Sequence, residues 1–80
     1  MVKVALWGSL AELAGEREVE VEAGNLRELL KALEEGYPAL RPQLDRGVSV
    51  SIDSKIYNDS WFQPIEEDSE VVLLSRLEGG

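Results

Sequence analysis

The sequence contains neither cysteine nor histidine among its 80 residues. Without cysteine there is no thiol nucleophile and no disulfide, and without both residue types no His/Cys metal cluster can form. Histidine is also the side chain most often used as a general base near neutral pH. An enzyme that acts alone is therefore the least favoured class of function. We expect the chain to bind no metal and no cofactor of its own.

Basic residues are scarce, with eight against sixteen acidic residues and a net charge of −8. Such a surface repels phosphate backbones, so we expect no nucleic-acid partner. A basic cleft on a partner protein would complement the charge, although acidity that only keeps a small protein soluble accounts for it equally well. No apolar run approaches the roughly 20 residues of a membrane span, and no leader-like segment opens the chain. We therefore expect a cytoplasmic protein with no membrane partner.

Alternation of apolar and polar residues predicts strands in several short segments. The last segment, "EVVLLS", is apolar on both faces, which is typical of a strand that is covered on both sides or used at an interface. Asp53 and Ser54 are expected to form a hairpin turn. The predicted strands cover residues 2–7, 17–22, 48–53, 55–58 and 70–75.

Two helices are predicted. Residues 24–36 carry leucines at 26, 29, 30 and 33, the spacing of one helical face, with Asn25 and Glu28 at capping-box spacing and Gly36 at the end. Residues 9–15 form a shorter helix, in which Ser9 and Glu12 have the same cap spacing, Leu10 and Leu13 share a face, and Gly15 closes the turn.

Two further segments are expected to be loops. "YPALRPQL" has two prolines within five residues and predicts a loop with one tight turn. "DSWFQPIEEDS" is polar, with Trp61, Phe62 and Ile65 expected to anchor it in the core.

This order of elements predicts a two-layer α+β domain of the β-grasp kind. We expect a mixed sheet of four to five strands, with the first and last strands paired at its centre, one main helix and one short helix. The domain should cover residues 1–75. Residues 76–80 should form a flexible tail, which fully extended reaches about 17 Å and ends in Gly79-Gly80.

The sheet face away from the main helix is the candidate for partner contacts. If alternate residues of the last strand point inward, Val72 and Leu74 point outward, and Trp7 does the same at the end of the first strand. Together with Leu77 these side chains would form an apolar patch beside the tail, and Arg76 is a further partner-binding candidate. The alternative is that Trp7 caps the edge of the core.

The residues also resemble a known family. "MVKVALWGSLAELAGEREVEVEAGNLRELLKAL", with its "ELAG" segment at residues 12–15, resembles the start of the molybdopterin synthase small subunit, a MoaD/ThiS-like, ubiquitin-like sulfur carrier. The resemblance continues through "VSVSIDSKIY" and "EEDSEVVLLSRLEGG" to the terminal Gly-Gly. The related thiamine-pathway carriers usually lack the short helix, so "SLAELAG" favours the molybdopterin branch.

The resemblance implies that the reactive group is the C-terminal carboxylate of Gly80, preceded by Gly79. A partner adenylyltransferase of the ubiquitin-activating type would use ATP to form an acyl-adenylate, and a sulfur donor protein would convert it into a thiocarboxylate. The tail would then enter the large subunit of molybdopterin synthase. Glycine suits a narrow channel because it has no side chain.

Three departures from the family pattern leave the acceptor open. "SRLE" precedes Gly-Gly where the family often has a proline pair, "EDSEV" replaces "DGDEV", and Ala11 replaces an arginine. The ending "SRLEGG" is also similar to ubiquitin-type modifiers, which are joined to lysines of other proteins. A protein modifier and a non-reactive β-grasp binding module therefore remain as alternatives to the sulfur carrier.

Overall fold

The computed structural model describes residues 1–58 and 60–75. The predicted tail, residues 76–80, lies outside the described residues. Within the described part of the chain, no helix is long and apolar enough to cross a membrane. The elements are β1 (Val2–Leu6), α1 (Ser9–Ala14), β2 (Glu18–Val21), α2 (Leu26–Gly36), a 3-10 helix (Pro38–Leu40), α3 (Arg41–Arg46), β3 (Val48–Ile52), β4 (Lys55–Tyr57) and β5 (Val71–Ser75).

The five strands form one mixed sheet in the order β2-β1-β5-β3-β4. β5 occupies the centre, parallel to β1 on one side and antiparallel to β3 on the other. β2 and β4 pair antiparallel with β1 and β3 and form the two edges. The predicted central pairing of the first and last strands is confirmed, and so is the β-grasp fold class.

The core lies between one face of this sheet and the helix layer. Burial alternates along β1, β3 and β5, as expected for strands that present every second side chain to the core. In α2, Leu26, Leu29 and Leu33 are fully buried, and each contributes about 2 kcal/mol of apolar burial. The buried apolar residues are Val2, Val4, Leu6, Leu10, Val19, Val21, Leu26, Leu29, Leu33, Leu40, Val48, Val50, Ile52, Ile65, Val71 and Leu73.

The N-terminus of α2 is capped as the sequence predicts. The Glu28 backbone N–H donates to Asn25 Oδ1 at 2.8 Å, and the Gly24 N–H donates to Glu28 Oε1 at 2.7 Å. Two otherwise unpaired backbone donors are thereby satisfied by side chains. The predicted end of α1 is also confirmed, since Gly15 follows the helix in the left-handed conformation.

The predicted N-cap of α1 is wrong. Ser9 is already the first helical residue, so the N-cap is Gly8. Glycine has no side chain that could make a cap bond. Ser9 Oγ lies instead 3.3 Å from Ser75 Oγ at the end of β5. Leu10 is fully buried but Leu13 is 43% exposed, so only the first of the two leucines on the predicted face belongs to the core.

The loop predicted for "YPALRPQL" is also wrong, since this segment forms the 3-10 helix and most of α3. Each of these two helices has its proline in the first turn, where the missing N–H has no intrahelical acceptor to lose. Leu40 is fully buried between them and fixes the segment to the core. Two prolines thus start two short helices instead of excluding them.

The segment before β5 has one core anchor, not the three predicted. Ile65 is buried, whereas Trp61 is 44% and Phe62 is 74% exposed. The reason is that the segment is held by its backbone: the Leu26 N–H donates to the Gln63 carbonyl at 3.0 Å, and the Ile65 N–H donates to the Gly24 carbonyl at 3.0 Å. The loop is therefore fixed without using its aromatic rings.

The β3–β4 hairpin turns at Asp53 and Ser54, as predicted. Both residues have positive φ, 49° and 73°, as in a type I′ turn. Asp53 also fixes the start of β5, because its N–H donates to the Glu70 carbonyl and its Oδ1 accepts from the Glu70 N–H, each at 2.9 Å. Aspartate tolerates the left-handed region better than serine does.

We therefore expect Ser54→Gly to raise the free energy of unfolding by about 0.5–1 kcal/mol, because glycine adopts positive φ without a steric cost. The same change at Ser51, in the middle of β3, should lower it by a similar amount. Urea denaturation of both variants measures the difference. Destabilisation by Ser54→Gly equal to that of Ser51→Gly would contradict the assigned turn.

Candidate functional site

The candidate site is the sheet face that the helices leave uncovered, which we call the outer face. Strand pairing places Val72 of β5 opposite Ala5 of β1 on one side and Ser51 of β3 on the other. Leu74 pairs with Ser49. Val72 and Leu74 are half-buried, as expected for side chains in the middle of a sheet that only neighbouring strands shield.

Trp7 lies at the end of β1, next to the end of β5. Its N–H donates to the Leu73 carbonyl at 3.2 Å, so the backbones of the two strands remain joined at this point. The side chain is 60% exposed and so does not cap the edge of the core. Trp7, Val72 and Leu74 therefore occupy neighbouring strand positions at one end of the sheet, as the sequence predicts.

β5 ends at Ser75, at the same end of the sheet as Trp7, because β1 and β5 run parallel. Ser9 Oγ, in the first turn of α1, lies within hydrogen-bond distance of Ser75 Oγ. The predicted site residues Arg76, Leu77, Gly79 and Gly80 lie outside the described residues. Their assigned roles stay predictions.

The structure adds one apolar residue that the sequence reasoning missed. Ile56 of β4 pairs with Ser51, which points outward, so Ile56 belongs to the outer face, where it is 56% exposed. The signal was present in the sequence, because a two-residue turn at Asp53 and Ser54 sets the inward Ile52 opposite Lys55. Ile56 then lies opposite Ser51 and shares its outward direction. One row across the outer face thus runs through Ile56, Ser51, Val72, Ala5 and Glu18, so that Ser51 separates Ile56 from the apolar pair Val72 and Ala5.

The polar and charged side chains of the described residues all lie at least partly exposed. In residues 1–58 and 60–75, no buried side chain is polar or charged, and no group of His, Cys, Asp and Glu is placed to hold a metal ion. Tyr37, after α2, has a pKa raised by desolvation and by a hydrogen bond and charge interaction with Glu16. That phenol stays protonated at neutral pH and cannot serve as a base.

Comparison with known proteins shows the family of the chain. The model of the ThiS family matches residues 4–80. The chain belongs to the ThiS family. The match begins within β1, includes the other four strands and extends through Gly79-Gly80, which agrees with the resemblance seen in the sequence. No curated protein matches the chain in sequence.

Solved structures share the fold over nearly the whole chain. The small archaeal modifier protein 1 (SAMP1) from Haloferax volcanii is 24% identical with a TM-score of 0.77, covering 99% of this chain and 98% of that one. A chain of the Amycolatopsis orientalis BexX/CysO complex is 17% identical with a TM-score of 0.78, covering 100% of both. A Pyrococcus furiosus protein described as molybdopterin converting factor, subunit 1, is 17% identical with a TM-score of 0.76, covering 95% and 97%. These likenesses confirm the ubiquitin-like β-grasp fold.

The alternation in β5 predicts opposite effects for two neighbouring substitutions. Leu73→Asp places a carboxylate in the core and should lower the free energy of unfolding by more than about 4 kcal/mol. Leu74→Asp lies on the outer face and should cost about 1 kcal/mol. Urea denaturation followed by far-UV circular dichroism measures both. Equal losses of unfolding free energy would show that Leu74 belongs to the core and not to the outer face.

Proposed function

We propose that this protein is a sulfur carrier whose C-terminal glycine, Gly80, is adenylated and then converted into a thiocarboxylate. Its sulfur would go to molybdopterin synthesis, with this chain as the small subunit of molybdopterin synthase. The observation that carries the proposal is the ThiS family match, which extends to the Gly79-Gly80 ending. The short helix α1 after β1 supports the molybdopterin branch, as does the fold shared with molybdopterin converting factor, subunit 1.

The chemistry needs an activated carboxyl group, because a carboxylate has no good leaving group. In the proposed first step, an oxygen of the Gly80 carboxylate attacks the α-phosphorus of ATP and pyrophosphate leaves. In the second step, sulfide-level sulfur from a donor protein attacks the carbonyl carbon and AMP leaves. Both steps take place on the partner adenylyltransferase, which binds the ATP. The chain has no cysteine and no histidine to perform either step itself.

The outer face supplies the proposed docking surface for that partner. Trp7, Val72 and Leu74 lie where β5 leads toward the terminal glycines, and Arg76 and Leu77 would extend the contact along the tail. An exposed tryptophan beside half-buried aliphatic side chains is typical of the anchors of protein interfaces. The net charge of −8 favours a basic rim around the partner's cleft. The relative found in the BexX/CysO complex supports partner proteins for this fold in general.

A second candidate is a protein modifier joined through Gly80 to lysines of other proteins. The fold shared with SAMP1, a small archaeal modifier protein, favours it. The two candidates share the activation step and differ in the acceptor. A pterin precursor would receive sulfur in the first case, whereas a lysine amine would receive the whole chain in the second.

We expect sulfur to appear on the C-terminal peptide only. Incubation with ATP, the adenylyltransferase of the same cell and a sulfur donor should replace one carboxyl oxygen by sulfur, seen by mass spectrometry of the intact protein and of its peptides. Without ATP the mass should stay unchanged, because no leaving group is installed.

Fusing residues after Gly80 should abolish the mass gain, whereas fusing them before Met1, which is exposed, should not. Linkage of the chain to lysines without sulfur transfer to a pterin precursor would establish the modifier instead. If a C-terminal fusion left every activity of the protein intact, the terminal glycines would have no chemical role.

Docking through the outer face is tested separately. Leu74→Asp should weaken binding to the adenylyltransferase at least tenfold, because it places a charge inside an apolar contact. Leu13→Asp makes the same change at an exposed leucine of the helix layer, outside the proposed docking surface, and should leave this affinity unchanged. Surface plasmon resonance with the immobilised partner gives both values. Equal affinities of the two variants would exclude the outer face as the docking surface.

A further inference from the structure

Two aromatic side chains on the helix layer have no role in the proposed sulfur transfer. Trp61 is 44% and Phe62 is 74% exposed, although the backbone that carries them is fixed. The Arg27 N–H donates to the Trp61 carbonyl at 2.8 Å, and the Leu26 N–H to the Gln63 carbonyl at 3.0 Å. Exposed aromatic rings on a fixed backbone lose little freedom on binding, which is a property of interface anchors.

Two basic residues lie beside these rings. Arg27 and Lys31 are one turn apart on α2, are both exposed, and line an open groove of about 400 Å³ together with Trp61. The same two residues line a second depression, with Phe62. The ion pairs found among the described residues involve neither of them.

The two α2 carboxylates that line these depressions, Glu28 and Glu34, have other partners. Glu28 Oε1 accepts from the Gly24 N–H at 2.7 Å as part of the helix cap. Glu34 Oε1 lies 3.0 Å from Arg41 Nε. Arg27 and Lys31 therefore form a local positive site in a chain whose net charge is −8.

The groove has an apolar floor and two chemically different ends. Leu30 and Leu44 form the floor and pack against the core, which fixes their positions. The α2 side carries Arg27, Lys31 and the Glu34 carboxylate, which is paired with Arg41, whereas the α3 side carries the Asp45 carboxylate. A bound segment should therefore place its own carboxylates against α2 and an apolar side chain over the leucines.

We propose that Arg27, Lys31, Trp61 and Phe62 form a docking surface for a peptide segment of a partner protein that carries carboxylates next to an apolar or aromatic side chain. This helix-layer groove lies on the side of the sheet opposite to Val72 and Leu74. Its occupation is independent of chemistry at Gly80, so that failure of sulfur transfer and failure of this proposal are separate results.

A peptide fits these observations better than a lipid surface or a second copy. A flat anionic membrane would approach the whole acidic surface, and a second copy would also bring −8 against −8. A peptide contacts only the groove, where charges farther away than about 8–10 Å are screened at physiological salt. The volume of the groove, about 400 Å³, also lies in the range of about 300–1,000 Å³ that is typical of ligand pockets.

The two tryptophans allow a direct test, because Trp7 reports on the outer face and Trp61 on the groove. ¹⁵N-labelled protein is titrated with a synthetic peptide in which Glu and Asp alternate with Leu and Phe. The Trp61 indole N–H signal should shift saturably while that of Trp7 stays unchanged. A matched peptide with Lys in place of Glu and Asp should cause no shift.

Charge reversal then identifies the groove. Arg27→Glu with Lys31→Glu should weaken binding of the acidic peptide at least tenfold, and Trp61→Ala, followed through the backbone amide signals of the groove residues, should do the same. Arg46→Glu, at an exposed position of α3 outside the groove, should leave the affinity unchanged. All of these positions are exposed, and the ¹H–¹⁵N spectrum itself shows that each variant is folded.

The proposal fails if the basic peptide binds equally, if Arg46→Glu weakens binding as much as the double variant does, or if only the Trp7 signal moves. Binding to phosphatidylglycerol vesicles but not to the acidic peptide would overturn it in favour of a membrane surface. A Trp61 signal that shifts with protein concentration alone would overturn it in favour of a second copy.

Discussion

The parallel pairing of β1 with β5 is the constraint on which the rest of the structure depends. Parallel neighbours cannot be joined by a tight turn, so the chain between them must cross over one face of the sheet. The crossing segment contains α2, which covers one face with Leu26, Leu29 and Leu33. A single helix layer leaves the other face open. The half-buried Val72 and Leu74 in the central strand are thus a consequence of the topology, before any partner is considered.

The charged side chains of this domain lie at its surface and contribute little to the stability of its core. No polar or charged side chain is buried in the part of the chain that the structure describes, so the core is held by apolar burial. The carboxylates can then vary without disturbing the core. The two ion pairs found among the described residues, one of them made by the N-terminal amino group, lie at exposed positions, and such pairs contribute little to stability. The excess of acidic residues is therefore available for selecting partners.

The sequence predicted those elements in which local pattern and tertiary burial agree. The leucine spacing of α2, its Asn25–Glu28 cap and the alternation of β3 required no knowledge of other segments. The failures arose where tertiary contacts decided the outcome. Leu40 is buried through contacts with the core that its local sequence does not reveal. The prolines on either side of it then stand in the first turns of two short helices. Trp61 and Phe62 looked like anchors because aromatic rings usually are, but backbone hydrogen bonds to α2 already held their loop. Residues 76–80 show neither the alternation of a strand nor the spacing of a helix, so hydrophobic periodicity predicts no element there.

The two faces of the domain would suit two different kinds of binding. A carrier that is activated by one protein and delivers sulfur to another must dock on both through the surface beside its reactive terminus, one after the other. Such a surface must release each partner, and a few half-buried aliphatic side chains around Trp7 suit that better than a large apolar interface does. The helix-layer groove lies on the opposite side of the sheet, where a third segment can bind while the outer face is engaged. In the proposed sulfur transfer, occupation of the groove would bring this chain to one partner without blocking the passage of Gly80 to the next.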